Sequence, residues 1–228
     1  ITVRYAPTQN TSSKAIEVSH NSSIRANPTK IQLSGIKDIS SSISTLTDEG
    51  WALFSSKDYI QSRKKFQEAI VASFVSSIYD SISNEAKLGR AWATIFAQES
   101  SDFAMTSYID FDFLKPNSVK LSSKSKKDAW AGLSISGVLL NSQGADTYSS
   151  NVVSTAVYLL ESSPNYEFSY NTKINYKDVR YALIQAYYNL SDYVNAASQL
   201  DILDPVNAPH SATPEGLLIA IQALGGQL

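Results

Sequence analysis

The chain has 228 residues and no cysteine, which excludes disulfides, thiolate metal sites and cysteine nucleophiles. Charged residues are only 18% and the formal net charge is -2, so no broad positive field exists to gather nucleic acid or an anionic membrane. Hydrophobic residues at 43% are enough for a buried core, while Ser, Thr, Asn, Gln and Tyr supply most of the polar surface, a balance common in exported proteins.

Residues 1–36 are rich in Ser, Thr and Asn, with Pro7 and Pro28 as breakers. Ile1-Thr2-Val3-Arg4-Tyr5 alternates apolar and polar residues, and Ile16-Glu17-Val18 and Ile31-Gln32-Leu33 do so more briefly. Period-two alternation predicts short strands, here in an extended, partly β-like arm that something must hold in place. The first residue is Ile rather than Met. Either a leader was removed or the chain was trimmed. The polar composition favours export, to the cell surface, the periplasm or the extracellular space.

The period changes near Ile36. Ile39, Ile43, Leu46, Gly50, Leu53 and Phe54 recur at three- and four-residue spacing and predict a helix to about Ser56. Lys57-Asp58 reads as a joint, and Tyr59, Phe66, Ala69 and Ile70 carry a second helix to about Ser76. A third helix is predicted over 80–99 and a short fourth over 101–110, followed by a loop over 112–124 that Pro116 interrupts. Helices over 126–141 and 148–162 come next. A Tyr- and Asn-rich connection spans 165–175. Two further helices cover 176–190 and 192–203. The last helix has a cap hydroxyl at Thr213, Pro214 in its first turn and Glu215 behind it, and it stops at Gly225-Gly226.

The paired helices carry a recurring set of residues. Gly50, Tyr59, Ser62, Phe66 and Ala69 mark the first pair. Leu88-Gly89, Trp92 and Phe103 mark the second, and Gly132 and Pro164 the third. Leu183, Tyr187, Asp192-Tyr193, Ala196 and Leu200 mark the fourth, with Ile184 where a glycine is expected. Over about residues 43–204 this pattern resembles the tetratricopeptide repeat. The resemblance implies an all-α solenoid of about four helix pairs plus a terminal helix. Gly50, Gly89 and Ala196 would admit close helix approach, and Tyr59, Phe103 and Tyr193 would wedge the joints. From Gly50 to Gly89 is 39 residues and from Gly89 to Gly132 is 43, against about 34 for the family unit, which predicts a distorted superhelix. The expected divisions are an arm over 1–36, repeats over 37–204 and a C-terminal capping or interface helix over 205–228.

Little chemistry is legible. His20 and His210 lie far apart in polar segments and read as surface residues. Asp110-Phe111-Asp112 lacks the glycine and terminal Glu of a calcium loop. Lys115, Lys120, Lys124, Lys126 and Lys127 form a basic stretch that reads as a solvated loop. No catalytic, cofactor or metal residue is assigned. Tyr166, Phe168, Tyr170, Tyr176 and Tyr181 form an aromatic-rich stretch suited equally to a binding surface or a core wedge. The terminal helix is apolar nearly all round, with Leu217, Leu218, Ile221 and Leu224, so it should be buried, either in its own chain or against another subunit. Ile1, Val3 and Tyr5 are the matching interface candidates in the arm. The expected function is contact rather than catalysis: an exported protein that assembles with its own copies, head to tail and into a filament. The alternative, implied by the family resemblance, is an envelope-anchored adaptor that binds peptide segments in a concave groove. No apolar run approaches the roughly 20 residues that a bilayer span needs.

Overall fold

The computed structural model describes residues 13–18, 29–34, 39–74, 79–117, 120–141 and 146–225. The chain divides into two compact units, Ile1–Ser41 and Ser42–Leu228. Residues 205–225 belong to the same unit as the repeats rather than to a division of their own.

In the first unit, β1 (Ser13–Val18) and β2 (Thr29–Ser34) pair antiparallel, with Ile16 opposite Ile31 and Glu17 opposite Lys30. Both short alternating stretches are strands, and they pair with each other. Ile1, Val3 and Tyr5 lie outside the described residues, as does His20.

The second unit is a helical solenoid. Its elements are α1 (Ser40–Ser55), α2 (Tyr59–Ser73), α3 (Asp80–Ala97), α4 (Phe103–Asn117), α5 (Ser123–Asn141), α6 (Ser149–Ser162), α7 (Tyr176–Asn189), α8 (Tyr193–Leu203) and α9 (Pro214–Gly225). Each of α2 to α8 packs on its sequence neighbour. The odd-numbered helices α3, α5 and α7 also touch in turn, so they line the inner side of the curve.

The first and fourth joints are built alike. Lys57 and Ser191 both take left-handed backbone angles, φ 67 and φ 60. The next residue, Asp58 or Asp192, caps the following helix by accepting from the backbone N–H of Gln61 or Asn195. A tyrosine then opens that helix. Tyr59 stacks on Phe96 with ring centroids 4.9 Å apart. Tyr193 sits 5.6 Å from Tyr188. Asx capping and the αL turn are local chemistry, so these joints were readable in advance.

Packing between pairs rests on aromatic rings set against glycine backbone. Phe66 on α2 is fully buried between Gly50 on α1 and Gly89 on α3. A Cβ on Gly50 would stand 2.7 Å from Phe66 Cε1, and one on Gly89 would stand 2.2 Å from Phe66 Cζ. Phe111 on α4 meets Gly132 on α5 in the same way. Ser62 on α2 adds a hydrogen bond to the Gly50 carbonyl at 2.9 Å.

Two expectations are corrected. The fourth helix does not stop at Asp110 but runs to Asn117, through Pro116. Phe111 and Leu114 are fully buried, so continuing the helix gains two core side chains, which offset the one backbone hydrogen bond that a proline cannot make. The terminal helix is buried on one side only. Leu217 and Ile221 join Ile184, Ala196, Ala197 and Leu200 in one cluster with Leu224 packed at its edge, while Leu218 and Ile219 are exposed. Among the described residues α9 packs mainly on α7 and α8, and Leu218 and Ile219 on its other face are exposed.

Gly89→Ala is expected to lower stability by about 1–3 kcal/mol through overpacking against Phe66. Pairing it with Phe66→Leu should cost less than the sum of the two single changes. Thermal melts of the three variants check this, and additive losses would show that the ring and the glycine do not compete for the same space.

Candidate functional site

The connection between α6 and α7, residues 163–175, crosses the inner side of the solenoid as a strap. Pro164 ends α6, and Asn175 starts α7 with a capping box: its side chain accepts from the Lys177 N–H, and Asp178 accepts from the Asn175 N–H at 2.8 Å. Between these stops the strap folds on itself. Phe168 N–H donates to the Ile174 carbonyl at 2.9 Å and Tyr176 N–H to the Tyr166 carbonyl at 2.8 Å, with Glu167 bridged to Asn175. Tyr166, Phe168 and Tyr170 alternate along it, as extended backbone requires for side chains sharing a face.

That face meets three helices. Phe168 is fully buried. Its ring stacks on Trp92 of α3 at 4.3 Å and lies edge-on to Phe54 and Trp51 of α1. Tyr170 lies flat on Trp51, with ring centroids 3.6 Å apart and planes 2° from parallel. Tyr166 and Ser169 both donate to the carboxylate of Asp128 on α5, at 3.0 and 2.7 Å. The Asp128 backbone carbonyl accepts from Trp92 Nε1 at 3.2 Å, which ties α5 to α3 beneath the strap.

Asp128 is 1% exposed, and burial pushes its carboxyl up from 3.8 to about 6, against the opposing pull of the Ser169 and Tyr166 donors. Burial, with Glu85, Asp128 and Asp48 nearby, pushes the Tyr170 hydroxyl up to about 12. Two cavities flank the strap. One of about 390 Å³ lies under Ser169 and Tyr170 and reaches Asp48, Glu85 and Asp128. The other, about 500 Å³, lies between Lys124, Lys127 and Asp128 and the strap's first residues. Further along the inner face, Trp92, Phe96, Ile135, Leu139, Ile174 and Tyr181 line an apolar recess of about 270 Å³, with Asp178 and Gln185 among its polar members.

The aromatic-rich stretch is therefore a core wedge at Tyr166 and Phe168, with Tyr170 at the rim. Of the repeat residues, Gly50, Phe66, Gly89, Trp92, Gly132 and Ala196 are buried, and Tyr59, Phe103, Tyr187 and Tyr193 are half-buried. Leu217 and Ile221 are used inside the chain, so they are not available as interface residues; Leu218 is exposed. Asp110 sits on α4 and accepts a two-pronged hydrogen bond from Arg90 of α3, at 2.8 and 2.5 Å. His210 is no surface residue either. Its side chain is 8% exposed, with Nδ1 2.7 Å from Asp201 and Nε2 3.5 Å from Asp204. The His210 backbone N–H and ring hold the Asp201 carboxyl below the usual carboxylate range. Lys120 pairs with Asp80, and Lys115 donates to Asn151, so part of the basic stretch serves packing between helices.

Sequence reasoning missed Trp51 and Asp128. Trp51 was within reach, since Ile43, Thr47, Trp51 and Phe54 form the buried stripe of α1. Asp128 follows a run of lysines, which gave it the look of a solvated residue. Among the described residues, no group of three or more His, Asp or Glu side chains is placed to hold a metal ion. No protein-family model, curated protein or solved structure matches this chain.

Two measurements follow. A buried acid whose folded-state value lies above its unfolded value favours folding when protonated. That contribution is complete below about pH 4 and is lost as pH rises through about 6, a difference on the order of 3 kcal/mol. Asp128→Asn should flatten this part of the stability-pH profile relative to wild type; an unchanged slope would mean that Asp128 is not its source. Phe168→Ala should cost about 3–5 kcal/mol, the range for emptying an aromatic core site, and denaturant titration checks it.

Proposed function

We propose that this chain acts by contact with other polypeptides rather than by catalysis, and that its main partner is another copy of itself, joined head to tail. The observation that carries this reading is the apolar exposure at the C-terminal end of the solenoid. Val194 and Ile202 on α8, Val206 after it and Ile219 on α9 are 68%, 58%, 89% and 69% exposed. Solenoids ordinarily finish with a polar outer face. Exposed apolar groups of this kind mark association surfaces.

Charge supports the pairing. After Arg180 the described chain carries Asp192, Asp201, Asp204 and Glu215 and no Lys or Arg. The α2 segment offers Lys64 with Ile60, Val71 and Phe74 exposed, while Arg63 and Lys65 beside it already pair with Glu99 and with Glu49 and Glu68. Contact between two different surfaces, repeated head to tail, builds a ring where the rotation closes and a fibre where it does not; the fibre is the form we propose. The N-terminal hairpin adds a second route. Two strands alone are marginal in water, and among the described residues no third strand joins β1 and β2. Strand addition by Ile1–Tyr5 of a neighbour is our reading of how that edge is completed. Export and the tetratricopeptide resemblance belong to the same proposal. The repeated αL-Asp-Tyr joints and the ring-on-glycine packing support the resemblance, and the polar composition supports export.

The alternative, an envelope-anchored adaptor for peptide segments, is favoured by the apolar recess beside Ile174. Among the described residues no helix is long and apolar enough to cross a membrane.

Val194→Lys/Ile202→Lys should weaken self-association at least tenfold in sedimentation velocity while leaving the melting temperature near that of wild type. Electron microscopy of the wild type beside a chain lacking residues 1–36 separates the two routes. Monodisperse wild-type monomer at high concentration would end the self-assembly reading.

A further inference from the structure

We infer that the apolar recess between α3, α5 and α7 is a binding site for a small amine with an apolar body about one ring in size, its ammonium held by Asp178 and its far end by the amide of Gln185. The recess measures about 270 Å³, just under the roughly 300–1,000 Å³ of drug-sized sites. Three helices supply its walls: Trp92 and Phe96 on α3, Ile135 and Val138 on α5, Tyr181 and Ala182 on α7. Ile174 at the end of the strap lines it as well, and the strap stays where it is.

The polar groups that reach the recess are few and ordered. Asp178 and Gln185 lie seven residues apart on α7, with Tyr181 and Ala182 between them, so all four share one face of the helix. Seven residues of helix span about 10 Å. A carboxylate therefore stands toward one end and a neutral amide toward the other, with apolar walls between. The other polar atoms of the lining rings are already used: Tyr181 Oη donates to the Ile221 carbonyl at 3.0 Å, and Trp92 Nε1 to the Asp128 carbonyl at 3.2 Å. Asp178 accepts from the Asn175 N–H at 2.8 Å, and an ionised carboxylate has room for further donors. The Gln185 amide makes no hydrogen bond among the described residues.

Charge selects an amine. Among the described residues that line the recess there is no Lys, Arg or His, so an anion would meet only the Asp178 carboxylate. Burial pushes the Asp178 carboxyl up from its ordinary value, against the pull of backbone N–H groups and of Lys177. A cation beside it would offset that burial. Size selects a small molecule. The side chains between Asp178 and Gln185 offer neither donor nor acceptor, so a peptide backbone laid along them would leave its amides unpaired. The site is independent of the self-assembly surfaces, and it gives the recess a smaller occupant than the peptide of the alternative reading.

The test is isothermal titration calorimetry of the whole chain with tyramine, whose ring carries an ammonium at one end and a hydroxyl at the other. Wild type should bind tyramine about tenfold more tightly than para-ethylphenol, which lacks the amine, or para-hydroxyphenylpropionate, which puts a carboxylate in its place, as the loss of a charge-assisted hydrogen bond implies. Asp178→Asn keeps an oxygen for the Asn175 N–H and should erase that preference. Gln185→Leu should erase the smaller advantage of tyramine over phenethylamine. The ligand series is read on wild type, so it stands if a variant does not fold. Equal affinity for the three phenols, no heat from tyramine at millimolar concentration, or a preference that Asp178→Asn leaves unchanged overturns the amine site. Tighter binding of N-acetyltyrosine amide than of tyramine also overturns it, and returns the recess to the peptide reading.

Discussion

The seating of one ring between two glycines sets the geometry of the solenoid. Phe66 fills the space that Gly50 and Gly89 leave open, and it is fully buried there. Removing a Cβ from each of two helices lets them close on a flat ring held by a third, so α1, α2 and α3 become one packed layer. Phe111 against Gly132 repeats the device one pair later. Close packing of this kind has little slack, because protein interiors are near crystalline density. The fourth pair lacks it: Ile184 stands where a glycine is expected, and Ala196 and Leu200 pack around it with α9 instead. The array therefore changes character toward its C-terminal end, where the outer residues become apolar and exposed.

A second constraint comes from the inner face. Curving α1, α3 and α5 toward one another brings Trp51, Trp92 and Phe54 to one surface. That surface would be unfavourable to leave in water, since each aromatic side chain carries a large apolar area. The chain covers it with its own residues. Tyr166 and Phe168 are buried, and Tyr170 covers Trp51. The cost is a buried carboxylate at Asp128. It is offset by two hydroxyl donors and by a position where protonation is within easy reach.

The helices and joints were legible because their causes are local. Spacing of three and four residues gives the buried stripes, and an Asp before a Tyr gives the cap at 58 and again at 192. The hairpin strands at 16–18 and 31–33 followed from alternation in the same way. What was not legible depends on residues far apart. Nothing near Asp128 announces that Tyr166 will donate to it, and nothing near Trp51 announces Tyr170. Pro116 misled for a related reason: the missing backbone bond of a breaker is outweighed when Phe111 and Leu114 have a core to enter. His210 misled because its partners, Asp201 and Asp204, lie across a turn from it.

These placements change the balance between the two ways such a chain can meet a partner. A concave groove is open for peptides only where its aromatic floor is bare. Here the strap covers the rings of α1 and α3, and the apolar recess toward α7 lies open beside it, as do the two cavities that flank the strap. At the outer end the reverse holds. Val194, Ile202 and Ile219 are exposed where another helix pair would otherwise continue the stack. Apolar area left at the end of a solenoid is the same kind of area that neighbouring helices bury elsewhere in it. On the self-assembly reading proposed above, a second copy would cover it, and the acidic character of residues 192–215 would favour that copy's α2 segment over its α1, whose exposed residues include Asp48 and Glu49.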